Sequence, residues 1–298
     1  MCVPSVPIGR FAPSPTGALH RGNLRTALAS WLSVKARGGR WLLRIEDVDR
    51  HRCRREWAEQ QVRDLAALGL ESDGPVVWQS ERDTQYLEAL ARLQEQRLLY
   101  VCQCSRKDLA LMASAPQADD GLRPYPGRCR GRVPATLEPA ALRFHLPPGE
   151  VAWLDRVHGP QRHDPCALTG DPLLHRRDGC FAYHLAVVVD DGLQGVTEIV
   201  RGDDLRPVTA TQIRLQEALG FARPEYAHVA LVHGDQGERL GKRSGAEGVQ
   251  AWLAEGRSLA DLLGHLGHSL GCLDRPEPCT AADLLKTFKW ERVPEAGR

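Results

Sequence analysis

The chain has no run of roughly 18 apolar residues, the length a membrane-crossing helix needs. Its start holds Pro4, Pro7, Pro13 and Pro15 instead of an apolar leader. The expectation is therefore a cytoplasmic protein with no membrane partner. An excess of one charge sign is also missing: 39 Lys plus Arg face 38 Asp plus Glu, a formal +1. A polyanion can then be held only by local clusters, such as "RHRCRRE" and "RCRGR". No internal repeat and no long low-complexity tract divides the sequence. Nine cysteines, an odd number in 298 residues, do not form a disulfide framework, which leaves thiols free or metal-bound.

What is present begins with "RFAPSPTGALHRGN", Arg10 to Asn23. A short strand runs into a proline-stiffened glycine corner, and a helix with Leu24, Ala27, Leu28, Trp31 and Leu32 at helical spacing follows. The second strand, "RWLLRIEDVD", makes this a βαβ unit, whose ligand site lies at the strand ends. Such a corner lets backbone approach a phosphate, and His20 supplies a donor there. It is no Walker loop, because the lysine is missing. Helices are expected from Glu56 to Leu70, in "DTQYLEALARLQEQRLL" and in "TATQIRLQEALG". "CFAYHLAVVVDDGLQGVTEIVRGDDL" reads as buried strand, with Tyr183 opening one apolar run and Arg201 closing another. "YAHVALVHG" reads as the last strand, before a helical remainder.

Four groups carry candidate chemistry. Glu46 and Asp47 end the second strand on opposite sides, and one of them can hold an amine. Arg201 suits a carboxylate through its planar fork. Arg239, Lys242 and Arg243 in "ERLGKRSG" can close on a phosphate. Cys102, Cys104 and Cys129 have the spacing of a structural zinc site, with Tyr125, His145 or water open as the fourth ligand. Solvated ion pairs, a solvated basic loop and three reduced thiols are the alternative readings.

Taken together, these stretches resemble class I aminoacyl-tRNA synthetases of the glutamyl type from Ile8 to about Ser244. His20 and Gly22 match that family's HIGH signature, with Asn23 in place of its second histidine. "RLGKRSG" is similar to its KMSKS loop, with Arg239 for the first lysine and Gly241 for the serine. About 55 residues follow Lys242, too few for the anticodon-binding region of a full glutamyl enzyme, so the layout resembles the truncated glutamyl-Q branch.

The resemblance implies a Rossmann-like α/β catalytic domain in two halves, 1–100 and 181–245. An inserted zinc-binding α+β subdomain, 101–180, splits them, and a helical region, 246–298, follows. It implies ATP-dependent activation of L-glutamate with Mg²⁺, then transfer to the queuosine base in the anticodon of tRNA(Asp), by a monomer. Glutamate would be bound by Arg10, Ala12, Ser14, Glu46, Tyr183 and Arg201, and ATP by His20, Gly22, Asn23 and Lys242. His20 and Lys242 would be catalytic, and one structural zinc would sit on Cys102, Cys104, Tyr125 and Cys129. A compact synthetase charging a tRNA 3′ end and a silent tRNA-binding paralogue stay open as alternatives.

Overall fold

A computed structural model describes residues 6–105, 108, 124–134, 140–231 and 248–295. Lys242 and the rest of the KMSKS-like loop lie outside the described residues. The first half runs β1 (Ile8–Phe11), α1 (Arg21–Lys35), β2 (Arg40–Ile45), α2 (Arg55–Ala67), β3 (Val77–Trp78), α3 (Asp83–Glu95) and β4 (Leu99–Val101). Next come β5 (Leu142–Phe144), β6 (Val151–Asp155), β7 (Gly159–His163), α4 (Pro165–Leu168) and β8 (Leu173–His175). The chain continues through α5 (Tyr183–Leu193), β9 (Glu198–Gly202), α6 (Thr209–Leu219) and β10 (Glu225–Val229). It ends in α7 (Val249–Ala254), α8 (Leu259–Ser269) and α9 (Ala281–Leu285). No described helix is long and apolar enough to cross a membrane.

The large sheet has the order β3-β2-β1-β9-β10-β6-β7, and β4-β5-β8 form a small one. From β3 to β6 every neighbouring pair is parallel, and β7 closes the edge antiparallel. The expected inserted segment, 101–180, cuts across this sheet: β6 and β7 fall inside it, yet β6 pairs onto β10 and β7 onto β6. Among the described residues, β4, β5 and β8 alone stand apart in their own sheet. Short strands between prolines and arginines carry no signal of which sheet they join, and pairing 70 residues away in sequence decides it.

α1 is buried almost all round, from Leu24 to Val34. Its apolar side joins Trp41, Leu43, Leu262, Leu266 and Leu284 in the main core. Its polar positions are satisfied inside that core: Ser30 donates to the carbonyl of Arg10 at 3.0 Å, and Arg25 donates to the carbonyls of Ala230 and Ser269 at 2.8 and 3.0 Å. A second core gathers Tyr86, Leu90, Leu185, Val188 and Leu215 with Phe144 and Leu174 of the small sheet.

One element differs from its sequence reading: "YHLAVVVDDGL" is helix α5, not strand. Three successive valines favour extended backbone, and a helix enclosed on every side shows no polar face to reveal its period. Here Leu185 to Asp191 are all buried, between α3, α6 and β8. α6 stops where expected, at Gly220, whose φ of 70° places the cap in the left-handed region.

Candidate active site and metal centre

Parallel strands leave their carboxyl ends open to a ligand where the strand order reverses. That place is here the gap between β1 and β9, and a pocket of about 380 Å³ lies over it. Arg10, Ala12 and Ser14 enter it from β1 and the corner beyond, Glu46 from the end of β2, and Arg201 from β9. Tyr183 comes from the first turn of α5, and His20, Gly22 and Asn23 from the start of α1. The structure thus brings together every residue expected to touch glutamate or ATP except Lys242. Asp47 points away, as the strand alternation requires, and accepts from the backbone N–H and hydroxyl of Ser80 at 2.8 and 2.6 Å.

His20 is the N-cap of α1. Its Nδ1 accepts from the Asn23 N–H and the Asn23 Oδ1 accepts from the His20 N–H, each at 3.3 Å. A ring whose Nδ1 accepts carries its proton on Nε2. Asn23, standing where the family has a second histidine, completes this reciprocal cap. The first turn of α1 holds no acidic residue, so its N-terminus favours an anion.

Beneath the pocket floor lies a buried ionic network that the sequence reading missed. Arg10 donates to both oxygens of Asp191, Nε at 2.8 Å and Nη2 at 3.2 Å. Arg44, fully buried, donates to Asp191 at 2.8 Å and to Gln194 at 2.7 Å, and lies 3.5 Å from Glu46. Asp190 accepts from Gln79, Arg82 and Tyr86 at 2.8, 2.6 and 2.7 Å. Burial raises the Glu46 carboxyl to about 7, against the pull of Arg44 and Arg10. Two aspartates inside an apolar run were the legible signal, since buried carboxylates require partners.

Arg201 is held differently. Its Nε donates to His228 Nε2 at 3.0 Å, Nη1 to Gln212 at 2.5 Å, and Nη2 to Thr209 at 2.8 Å and to the carbonyl of Leu205 at 3.4 Å. All four partners are neutral acceptors, and none of the described carboxylates pairs with it. The charge of Arg10 is met by Asp191, whereas that of Arg201 remains for the pocket.

Away from the pocket, Cys102, Cys104 and Cys129 bring their sulfurs within 4.8 Å of one another. Cys104 and Cys129 are 3.6 Å apart, against about 3.8 Å for two thiolates on one tetrahedral zinc. The Tyr125 hydroxyl lies 3.7 Å from Cys102 and 3.6 Å from Cys104, on the same centre. His145 is not part of this group; its ring stacks edge-on to Tyr100. Arg143 sits over the Tyr125 ring at 3.8 Å, and Asp171 ties the knot to the fold through Arg130 and Tyr100. The chain passes closely at Gly170, where a Cβ would meet the Tyr125 backbone at 2.3 Å and φ is +60°. A second group, His51, Asp178 and Cys180, also converges. There Asp178 is already paired with Arg176, and Arg50 and Asp83, themselves an ion pair, line the same cavity.

Residues 8–296 match the family described as tRNA synthetases class I (E and Q), catalytic domain. The chain belongs to this family. It is accordingly an enzyme of the tRNA ligase class. Among curated relatives, a glutamyl-Q tRNA(Asp) synthetase from Symbiobacterium thermophilum is 46% identical over 96% of this chain and 93% of its own. One from Geobacter sulfurreducens is 48% identical over 87% and 82%. Among solved structures, a glutamate tRNA ligase from Elizabethkingia meningosepticum CCUG26117, in complex with its amino acid, superposes with a TM-score of 0.83 at 26% identity. The match covers 98% of this class I chain but 66% of that ligase.

Proposed function

We propose that this enzyme activates L-glutamate with ATP and transfers it to the queuosine base in the anticodon of tRNA(Asp). The observation that carries the glutamate half is a single pocket in which the Glu46 carboxyl stands with two guanidinium groups, Arg10 and Arg201, and with Asp204 also on the lining. An amino acid suits that set: its ammonium complements Glu46, and a carboxylate complements the charge of Arg201, which no described carboxylate meets. Ala12, Ser14 and Tyr183 shape the wall around it. The queuosine half is supported by the names of the relatives and their matching length.

In the first step a carboxylate oxygen of glutamate attacks the α-phosphorus of ATP, and pyrophosphate leaves. The α1 N-terminus with Gly22 and Asn23, the His20 Nε2–H, and Lys242 stabilise the charge that gathers on the phosphates. Mg²⁺ supplies further neutralisation there. In the second step a hydroxyl of the queuosine cyclopentene ring attacks the acyl carbon; AMP leaves and the hydroxyl loses its proton. Cys102, Cys104, Tyr125 and Cys129 hold one structural zinc. Their mutual distances and thiolate chemistry support this.

The test is transfer of labelled glutamate, with ATP and Mg²⁺, to queuosine tRNA, to tRNA lacking queuosine, and to CCA-trimmed queuosine tRNA. Label that requires queuosine and survives trimming is expected. Label lost on trimming places the acceptor at the 3′ end and overturns the queuosine assignment.

A further inference from the structure

Three adjacent parallel strands, β6, β10 and β9, carry Asp155, His228 and Arg201, whose side chains meet one after another along a diagonal that ends at the pocket. His228 and Arg201 are register partners, and all three residues are buried. Asp155 Oδ2 lies 2.5 Å from His228 Nδ1, while its Oδ1 accepts the backbone N–H groups of Val157 and His158 at 3.0 and 3.1 Å. The other imidazole nitrogen, Nε2, faces Arg201 Nε at 3.0 Å and the Thr209 hydroxyl, which can donate to it, at 3.2 Å. Arginine has no acceptor, so Nε2 must be the unprotonated nitrogen and Nδ1–H must donate to Asp155.

We infer that Asp155 and His228 are a positioning pair that aims Arg201 at a substrate carboxylate while leaving its positive charge unneutralised. A carboxylate placed directly on Arg201, as Asp191 is placed on Arg10, would fix the side chain but cancel the charge that recruits substrate. The neutral imidazole separates the two tasks: Asp155 locks its tautomer, and the ring holds the guanidinium. Burial keeps His228 neutral, lowering it to about 4 with help from the Arg201 charge and against the Asp155 bond. This inference rests on the glutamate reading of the pocket only for the identity of the carboxylate.

Asp155→Asn tests it with almost no change in shape. Its oxygen stays on the Val157 and His158 N–H groups, so its NH₂ meets His228 Nδ1 and forces the proton onto Nε2. Two donors then face each other at Arg201. In glutamate-dependent ATP–pyrophosphate exchange, KM for glutamate should rise roughly ten- to a hundredfold while KM for ATP holds. His228→Phe should behave alike, and His228→Gln, which restores an acceptor, should recover most of the loss. Independently of activity, histidine ¹H–¹⁵N spectra should show His228 as the Nδ1–H tautomer in the wild type and Nε2–H in Asp155→Asn. An Nε2–H wild type, or an unchanged glutamate KM in folded Asp155→Asn, overturns the pair. No exchange in the wild type instead overturns the glutamate reading, and the spectra still decide the pair.

Discussion

At Glu46 two forces oppose each other and burial wins: it favours the neutral form, outweighs the arginines that favour the charged one, and lifts the carboxyl to about 7. A substrate ammonium binds the ionised form, so binding lowers its pKa and expels a proton. Above about 7 the carboxylate is ready and affinity is flat; below 7 the proton must be displaced, and affinity falls by up to about tenfold per pH unit. KM for glutamate measured between about pH 6 and 8 should therefore climb toward acid, and Glu46→Gln should bind weakly with no such slope. A flat wild-type profile would remove Glu46 from the ammonium site.

At the scale of elements, α1 links stability to chemistry through one residue. His20 both caps the helix and faces the pocket, so His20→Ala loses a cap worth about 1 kcal/mol as well as the Nε2–H. Asparagine caps helices well and lacks the imidazole. His20→Asn should thus regain the thermal stability that His20→Ala loses, yet keep the same deficit in pyrophosphate exchange. If both variants lose stability and activity in proportion, the histidine acts through the helix alone. The strand β1, the corner and α1 were legible because each carries a local mark: an apolar run, prolines, a helical period. α5 was not, since its neighbours bury it on every side and erase the period that would have announced it.

Across the whole molecule, the large sheet and the cysteine knot are separately supported. Among the described residues, the apolar cluster around the knot is Tyr100, Cys102, Tyr125 and Cys129, with Cys104 and Ala141 partly buried beside it. The proposed zinc would stabilise a cluster that small. Atomic emission should find one zinc per chain, and Cys104→Ser should lose it, with new protease cleavage near residues 101–134. Pyrophosphate exchange should persist, because the pocket belongs to the other sheet. Equal protease resistance in zinc-free and wild-type protein would refute a structural role.

The amino-acid order alone determined which residue types could do chemistry. A corner, a strand end and a cysteine pattern are contiguous stretches, and local sterics and charge mark each one. Only the tertiary structure decided how those residues are supported. Asp191 reaches Arg10 from 181 positions away, and Asp155 reaches His228 across 73. Pairing of that range depends on strand order and helix packing, so no local pattern encodes it. The structure also made the two arginines unequal, one neutralised by a carboxylate and the other held by an imidazole.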